Sequence, residues 1–391
     1  MINRLLDLDS ELKANRSAFL FGPRGVGKTL LGREFLTRQP VSLGIDLLNL
    51  DTYRRYLAEP ALFRTECERL IQPGRVLTVL IDEVQKLPGL LDEVHYLLER
   101  HKGRVRFLLT GSSARKLKRG QANLLAGRAW TLKLHPLTAL EVDLDLDRAL
   151  RFGTLPAIYL EDEAPQRTLR AYVETYLKEE ILQESLVRKA EPFVRFLDVA
   201  GQQSGEPVNF SQVARDCGVS VKTTQDYFSI LLDTLVAFRV DGWARSVRKQ
   251  LRQAPKYYVF DCGVLNALRG ELETSLKPAS FRHGKLFEHF VVCECVRLND
   301  YFERNYKFRY WRTNSGMEVD LILSRGAYET PVTVEIKAQP DPGESDLRSL
   351  AAFAAENPKA ELICLCRTPR AYRIGPVDVL PWTDGLRRLF A

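Results

Sequence analysis

The segment that most constrains the fold is the stretch from Phe21 to Thr29, which reads FGPRGVGKT. It fits the pattern G-x-x-x-x-G-K-[ST], in which closely spaced glycines let backbone N–H groups turn inward around a phosphate. The apolar run 18–21 predicts a strand before the loop, and Leu30 to Leu36 predicts a helix after it. The N-terminus of that helix would add partial positive charge. The sequence therefore predicts a loop that binds a nucleoside triphosphate.

The chemistry of the side chains assigns expected roles within this loop. Lys28 is expected to reach the β- and γ-phosphates, and the Thr29 hydroxyl is expected to ligate Mg²⁺. ATP and Mg²⁺ are the predicted cofactors. The predicted nucleotide contacts are Gly22, Pro23, Arg24, Gly25, Val26, Gly27, Lys28, Thr29 and Leu30, together with Asp82 from a later strand. A glycine-rich turn with a chance lysine is the alternative, and the two correct flanks argue against it.

A second motif follows the run RVLTVLI at 75–81, which has the composition of a parallel strand that is buried on both faces. The run ends in Asp82-Glu83. Asp82 is expected to hold Mg²⁺, mostly through water, and Glu83 to orient and polarise an attacking water. The alternative is a pair of acids that end a strand and solvate a loop. The presence of Lys28 in the phosphate loop argues against that alternative.

The phosphate loop, IDEVQKLP, LTGSSARKL and LAGRAWTLKLHPLTALE together resemble prokaryotic AAA+ ATPases with a fused C-terminal domain of formerly unknown function. In AAA-type ATPases a polar residue beside the Asp-Glu strand senses the γ-phosphate, and the resemblance implies Ser112 for that role, with Ser113 as the alternative. It also implies that Arg128 is an arginine finger that reaches the nucleotide of a neighbouring subunit. The alternative for Arg128 is a local ion pair. A finger acting in trans requires an oligomer, and the family implies a homohexamer.

The amino-acid composition constrains the fold and function less than these motifs do. The 391 residues suffice for two or three domains, and Lys plus Arg exceed Asp plus Glu by 57 − 50 = 7. This excess is compatible with nucleic acid without establishing it. No run of about 18 apolar residues occurs, so no membrane span is expected. Residues 1–15 read as an amphipathic helix and not as a signal peptide. The seven cysteines form no C-x-x-C pair, which predicts buried thiols in a reducing cytoplasm.

The middle of the chain predicts a helical lid followed by a DNA-binding module. Residues 137 to about 178 are expected to be helical, with a connecting helix over 171–185. Ser211 to Ser220 then resembles the first half of a helix-turn-helix, with Ser211 as cap and Gly218 at the turn. Strands are predicted over 235–240 and 256–260, around a basic wing that carries Arg245, Arg248, Lys249 and Arg252. Such a wing suits DNA phosphates, although the module could instead contact protein or separate two domains.

The last third predicts a strand pair over 316–323 and 330–338 that carries a D-(x14)-E-x-K arrangement. With an upstream helical Glu288, it resembles PD-(D/E)XK nucleases, although Gly316 replaces part of their usual Pro-Asp start. The resemblance implies that Asp320 and Glu335 bind Mg²⁺ with Glu288, and that Lys337 stabilises charge developing at phosphorus. The alternative is a solvated polar face on a strand pair.

The sequence thus predicts an α/β protein with three parts. These are an N-terminal AAA+ P-loop ATPase with a parallel sheet and helical lid (1–180), a winged helix-turn-helix (181–268) and a restriction-endonuclease-like α/β domain (269–391). The leading hypothesis is an oligomeric, ATP-hydrolysing motor or processing factor that acts on DNA, with nuclease activity left open. The alternative is a nucleotide-controlled signalling or effector switch, whose C-terminal domain binds a protein partner or DNA without cleavage.

Overall fold

The computed structural model describes residues 2–113, 125, 127–160, 163–177, 190–244, 253–326 and 329–391. Contacts along the chain divide it into two compact units. The N-terminal unit comprises Met1–Pro136 with Asp233–Val236, and the C-terminal unit comprises Leu137–Leu232 with Ala237–Ala391. In the described part of the chain, every helix is too short or too polar to cross a bilayer.

The N-terminal unit is built on a five-stranded parallel sheet with the strand order β2-β3-β4-β1-β5. The strands are β1 Ser17–Phe21, β2 Ser42–Asp46, β3 Leu77–Asp82, β4 Val105–Gly111 and β5 Ala129–Lys133. Every residue of β1 and β3 is buried, as their apolar sequences require. Because β3, β4 and β1 are neighbours and parallel, their carboxyl ends lie together at one edge of the sheet. Ligands of open parallel sheets bind at that edge.

Helices cover this sheet and complete its core. They are α1 Leu8–Glu11, α2 Lys28–Thr37, α3 Leu50–Ala58, α4 Pro60–Leu70 and α5 Leu90–Arg100. Phe63 and Leu97 from α4 and α5 pack with Val79 and Phe107 of the central strands, and all four side chains are fully buried. The apolar faces of these helices follow the 3.6-residue period of the sequence. Their packing fixes β3, which ends in the predicted catalytic acids, and its neighbour β4.

The C-terminal unit begins with short helices and continues with longer ones. The helices are α6 Leu146–Phe152, α7 Pro156–Leu160, α8 Pro165–Ala171, α9 Ala190–Gln202, α10 Phe210–Cys217, α11 Val221–Asp233, α12 Cys262–Leu268, α13 Phe281–Tyr301, α14 Arg348–Glu356 and α15 Trp382–Phe390. A π-helical turn spans Tyr172–Leu177. The longest helix, α13, is buried along much of its length because its sequence is apolar on more than one face.

The sheet of this unit has eight strands in the order β12-β13-β11-β10-β9-β8-β6-β7. Its strands are β6 Ala237–Gly242, β7 Lys256–Val259, β8 Lys307–Arg312, β9 Glu318–Ser324, β10 Val332–Lys337, β11 Glu361–Cys366, β12 Tyr372–Ile374 and β13 Val377–Pro381. The antiparallel pair β6–β7 joins the rest through Asp241 and Gly242, which pair with Arg309 and Tyr310 of β8. One sheet therefore runs from the predicted wing strands to the predicted nuclease-like strands.

A buried ion cluster ties the start of this unit to α13. The Arg297 guanidinium bonds Glu294 at 2.9 Å and the Leu137 carbonyl at 3.1 Å, and lies 3.8 Å from Asp261. Glu294 also accepts a hydrogen bond from the Ala139 N–H at 2.8 Å. Removing one partner from such a cluster leaves a buried charge unpaired, which typically costs about 3–5 kcal/mol. This cluster fixes the first residues of the C-terminal unit, Leu137 and Ala139, against α13.

Most predicted elements are present, and several boundaries were wrong. Within 2–15 the α-helix is limited to α1, because Asp7 caps it and Ala14 has a left-handed φ of 56°. The strand predicted from Ser42 ends at Asp46, because the Asn49 side chain caps an unpredicted helix, α3. The predicted lid has no helix before Leu146 among its described residues. Asn209 caps α10 in place of Ser211, because its carboxamide oxygen accepts the N–H groups of residues 211 and 212.

Two predictions fall wholly or partly outside the described residues. They are the later part of the helix over 171–185 and the wing residues Arg245, Arg248, Lys249 and Arg252. The domain boundaries 1–180, 181–268 and 269–391 stay a prediction.

Candidate active site

The phosphate loop joins β1 to α2 and depends on glycine at two points of its turn. Gly27 caps α2 with a φ of 94°, a left-handed conformation that side chains disfavour. At Gly22 a Cβ would lie 2.2 Å from the Leu134 carbonyl oxygen, so a side chain could not be placed there. The Lys28 ammonium donates to the Gly22 and Pro23 carbonyls at 2.7 and 2.9 Å. The lysine is therefore folded back onto the loop that it is predicted to serve.

The Thr29 hydroxyl meets the end of β3, where it donates to the Asp82 carboxylate at 2.8 Å. Thr110, on the adjacent strand β4, donates to the other carboxylate oxygen. Asp82 is 2% exposed, and both of its oxygens are thus held by neutral hydroxyls. Hydroxyl and carboxylate oxygens are the donors that Mg²⁺ prefers. The side chains of Thr29 and Asp82 fit a Mg²⁺ ion at this point, which would neutralise phosphate charge when bound.

Glu83 follows directly and occupies a left-handed backbone conformation, with φ 59° and ψ 46°. Such a conformation costs a non-glycine residue free energy and often marks a functional site. Its N–H donates to the Thr110 hydroxyl at 3.1 Å. Its carboxylate accepts a hydrogen bond from the Gln85 side-chain amide, which also donates to the Ser112 hydroxyl at 3.1 Å. The predicted water-orienting acid and the predicted γ-phosphate sensor therefore share one amide.

The other predicted residues of this site lie in varied settings. Val26 is fully buried under the loop, whereas Arg24 and Gly25 are exposed at its tip. Leu30 is 64% exposed at the start of α2. Arg128 lies just before β5 and donates to the Glu99 carboxylate of α5 at 2.5 Å. The local ion pair that was considered as an alternative is thus present in this single chain.

Sequence reasoning missed three residues of this site. Thr110 contacts both acids of the Asp-Glu pair, and its position at the end of a strand next to Gly111 was the available signal. Gln85 stands two residues after Glu83, where a polar side chain could have been considered. Arg4 donates to the Val26 and His135 carbonyls at 3.0 and 2.7 Å, which places it against the phosphate loop. No sequence signal identifies Arg4, because a distant segment brings it there.

A second cluster of acids lies in the C-terminal unit. Asp320 on β9 accepts the Ile336 N–H of β10 at 2.7 Å. Glu335 on β10 bonds Lys337 at 2.6 Å through one oxygen and accepts the Ser349 hydroxyl at 3.0 Å through the other. Glu288 comes from α13, where it pairs with Lys285 at 3.3 Å. The antiparallel register of β9 and β10 and the packing of α13 thus bring the four predicted side chains into one region.

The acids of this cluster have raised pKa values, to which burial and neighbouring carboxylates contribute. Burial, and then the Asp320 carboxylate, raise the pKa of Glu288 to about 7. Burial, and then the Glu335 carboxylate, raise the pKa of Asp320 to about 7. Burial also raises the pKa of Glu335, against the effect of the Lys337 ammonium. Burial and neighbouring like charges both favour the protonated form of a carboxyl group, so all three acids are harder to ionise here than in an unfolded chain.

The cluster contains its own cations. Lys256 is fully buried and pairs with Glu318, and its charge opposes the pKa increases of Glu288 and Asp320. Within the described ranges, no group of three or more His, Cys, Asp or Glu side chains could hold a metal ion. As they stand, these residues do not fit a divalent metal centre, because lysine ammonium groups already balance the acids: Lys337 pairs with Glu335, and Lys285 pairs with Glu288. The metal-ligand assignment of Glu288, Asp320 and Glu335 stays a prediction.

A third feature is the pair of helices α10 and α11. Gly218 ends α10 in the left-handed region, with φ 67°, and the Ser220 hydroxyl then accepts the Thr223 N–H at 3.1 Å to start α11. Tyr227, Ile230 and Leu231 of α11 are buried, as the helical period predicts. The antiparallel pair β6–β7 follows. The described part of this segment therefore has two helices joined by a tight turn and then two strands.

Three family descriptions match successive parts of the chain. Residues 14–142 match the description AAA domain, residues 143–275 match Domain of unknown function (DUF8612), and residues 283–384 match Domain of unknown function (DUF4143). The first match spans the phosphate loop, the Asp82-Glu83 pair and β5. It supports an AAA-type ATPase domain with a nucleotide-binding P-loop over residues 14–142.

Several whole proteins are similar in sequence. Uncharacterized proteins of Mycobacterium tuberculosis and Mycobacterium bovis are each 29% identical over 332 residues, which covers 83% of this chain and 71% of theirs. An uncharacterized protein of Haemophilus influenzae is 22% identical over 353 residues, covering 83% of this chain and 84% of its own. The similarity thus extends well beyond the AAA-type domain in all three.

Two solved structures also match. PCH-2 of C. elegans shows 15% identity over 58% of this chain and 63% of that chain, with a TM-score of 0.25. This chain therefore spans less than two thirds of that protein's length. The structure of Drosophila ORC bound to AT-rich DNA and Cdc6 shows 13% identity over 68% of this chain and 88% of that chain, with a TM-score of 0.24. Likenesses with TM-scores this low carry no argument about this protein.

Proposed function

We propose that this protein hydrolyses ATP as an oligomeric AAA+ ATPase and uses that hydrolysis to act on DNA. The observation that carries the ATPase is the convergence of Lys28, Thr29, Asp82 and Glu83 at the carboxyl edge of one parallel sheet. Lys28 would exchange its two loop carbonyls for phosphate oxygens. Thr29 and Asp82 would hold Mg²⁺. Glu83 would orient the attacking water, and Ser112 would contact the γ-phosphate.

The direct test is ATP turnover by the purified chain, measured beside Glu83→Gln. The variant keeps the size of the side chain and its contact with Gln85 but loses the carboxylate that polarises water. We expect turnover to fall at least about 100-fold while ATP affinity stays within about twofold, because the acid acts in the transition state. Turnover that persists in the variant would contradict the role of Glu83.

Arg128 is proposed to complete the site of a neighbouring subunit, released from its pairing with Glu99. Mixing two inactive variants tests this directly. In a mixed oligomer a subunit with Arg128→Ala retains Lys28, and an adjacent Lys28→Ala subunit supplies the missing arginine. Recovery of ATP turnover on mixing, with particle mass measured in parallel, is the expected result. Absence of recovery in a confirmed mixed oligomer would assign Arg128 to its local ion pair.

DNA contact is proposed for the winged-helix-like segment that contains α10, α11, β6 and β7. The support is the tight Gly218 turn between two helices, the strand pair that follows, and the excess of 7 positive charges in the chain. The basic residues 245–252 connect the two strands in the sequence. The test is ATP turnover against duplex, branched and single-stranded DNA, with Lys249→Glu as the variant. Turnover that none of these DNAs changes would remove the motor hypothesis.

One observation favours a second candidate, a nucleotide-controlled switch whose C-terminal unit binds without cutting. Both oxygens of Glu335 are occupied by Lys337 and Ser349, so the acid is engaged within the protein. A metal-dependent nuclease assay on the wild type and Glu335→Ala separates the candidates. Cutting that disappears in the variant would identify a nuclease, whereas equal and negligible cutting favours the switch. A gel-shift measurement then tells DNA binding from protein binding.

A further inference from the structure

Gln85 is a buried residue of the ATP site to which no role has been assigned above. It lies in the short 3₁₀ turn Val84–Lys86 that follows β3, and it is 4% exposed. Its Nε2 donates both to the Glu83 carboxylate and to the Ser112 hydroxyl. A Cβ at position 111 would lie 2.7 Å from Gln85 Oε1, so Gly111 provides the room that this amide occupies. The amide thus has a defined place between the end of β3 and the end of β4.

The orientation of the amide follows from its neighbours. An ionised carboxylate only accepts hydrogen bonds, so the nitrogen of Gln85 faces Glu83. Its oxygen, Oε1, is buried and has no hydrogen-bond donor among the described residues. Buried acceptors are ordinarily satisfied, so an unpaired one beside a predicted catalytic acid points to a donor that arrives with the substrates. Water is the substrate of ATP hydrolysis that carries such donors.

We propose that Gln85 is a catalytic residue that accepts one O–H of the attacking water while Glu83 accepts the other. The inference rests on the proposed ATPase. A water molecule held through both hydrogens presents a lone pair to phosphorus. The water oxygen then bonds to the γ-phosphorus as the bond to the β,γ-bridging oxygen breaks. ADP leaves with that electron pair, and the water proton passes to Glu83 and then to solvent. Through its Nε2, Gln85 also holds the side chains of Glu83 and Ser112 in fixed positions relative to each other.

The test uses the full chain with four variants. Gln85→Met has a similar length and no strong hydrogen-bonding atom, and Gln85→Glu keeps acceptors but loses both donors. Ser112→Ala removes the sensor hydroxyl, and Gln72→Met is a control at an exposed position of the same unit. We expect Gln85→Met and Gln85→Glu each to lower kcat at least about tenfold, with KM and the affinity for a non-hydrolysable ATP analogue within about twofold. The control should match the wild type.

The combined effect of substituting Gln85 and Ser112 together provides the second readout. If one amide serves both neighbours, Gln85→Met and Ser112→Ala combined should lower kcat by less than the product of their separate effects. A kcat within twofold of wild type in a folded Gln85→Met protein would overturn the inference, as would effects that multiply. If Gln85→Met does not fold, Gln85→Leu, which also lacks an acceptor, decides by the same criteria. Turnover by the wild type that Glu83→Gln abolishes establishes the proposed ATPase separately, so failure of one idea is distinguishable from failure of the other.

Discussion

The two acid clusters of this protein differ in what balances their charge. In the N-terminal unit, neutral groups hold the acids: the hydroxyls of Thr29 and Thr110 bond Asp82, and the Gln85 amide bonds Glu83. Lys28 donates to two backbone carbonyls of the phosphate loop. In the C-terminal unit, Lys337 and Lys285 pair directly with the acids. A cluster held by neutral donors keeps its charge available for an incoming cation, whereas one paired with lysines has already been compensated.

The largest effect that can test this comparison comes from Lys28→Ala. The substitution removes the cation that would meet the triphosphate, so ATP turnover should fall at least about 100-fold. Lys13→Ala is the matched control, because Lys13 is exposed in the same unit and should leave turnover unchanged. Steady-state phosphate release measures both. Turnover that survives in Lys28→Ala would mean that the lysine's bonds to the loop carbonyls are its main role.

Removing Mg²⁺ should separate the two clusters. Chelation with EDTA should abolish ATP turnover, because Thr29 and Asp82 supply oxygen ligands of the kind that Mg²⁺ prefers. The same treatment should shift the melting temperature of the C-terminal unit by less than about 1 °C, because Lys337 and Ser349 already occupy Glu335. Calorimetry with and without Mg²⁺ measures this. A stabilisation by Mg²⁺ that Glu335→Gln removes would show that the second cluster binds metal. The two acid clusters would then not differ in metal binding.

Neutralising one acid of the second cluster should stabilise its unit. In Asp320→Asn the amide oxygen can still accept the Ile336 N–H, while one of several buried like charges is lost. At pH 8 we expect a gain in the free energy of unfolding of the C-terminal unit on the order of 1–3 kcal/mol. Denaturant titration measures it. A destabilisation would mean that the lysines make the negative charge of Asp320 favourable, against the raised pKa.

The pH dependence of the same unit has a definite sign. Glu288 and Asp320 both have folded-state pKa values near 7, above their values of about 4 in unfolded chains. The folded state therefore binds more protons than the unfolded state between about pH 4 and pH 7. Their contribution to stability is greatest below that range and declines as the pH rises through 7. Melting at pH 8 and pH 6 should show the higher temperature at pH 6, and Glu288→Gln/Asp320→Asn should flatten that difference.

The smallest expected effect is that of Ser349→Ala. The hydroxyl donates to a buried carboxylate, so its loss should lower the free energy of unfolding of the C-terminal unit by about 1 kcal/mol. It also frees one oxygen of Glu335. If Mg²⁺ then stabilises Ser349→Ala but not the wild type, that hydroxyl is what prevents metal binding. Equal responses of the two proteins would leave Lys337 as the decisive partner.

The features that could be predicted from the sequence depend on residues that lie close together along the chain. The phosphate loop was recognisable because Gly22 to Thr29 are contiguous and lie between a strand and a helix. The positions of Asp320, Glu335 and Lys337 on neighbouring strands followed from the period of two. Asn49 shows the limit of this reasoning: its capping of α3 depends on a carboxamide oxygen that competes with strand continuation after Asp46. The apolar residues that follow Asp46 fit either structure.

What could not be predicted depends on contacts between distant segments. Arg4 reaches Val26 and His135, and residues 22 and 131 positions away carry no common pattern with it. The bond of Gln85 to Ser112 joins two strand ends that only the sheet brings together. The pairing of Asp241 with Arg309 likewise makes one sheet from strands that the sequence suggested belong to different domains. In each case the stabilising contact joins segments that are distant in the sequence, and the periodicity of side chains does not predict such contacts.

The seven cysteines have a consequence of another kind. All are buried and unpaired, and burial raises the pKa of Cys67 and Cys293 to about 12. The Cys364 side chain lowers the pKa of Cys366, but that thiol is buried as well. The folded surface therefore exposes almost no thiolate, which is the form that alkylating reagents attack. A thiol becomes reactive only when its surroundings open, so the rate of alkylation at each cysteine reports local opening. One cysteine introduced on an exposed helix would then react selectively and carry a fluorophore, with the native seven left in place.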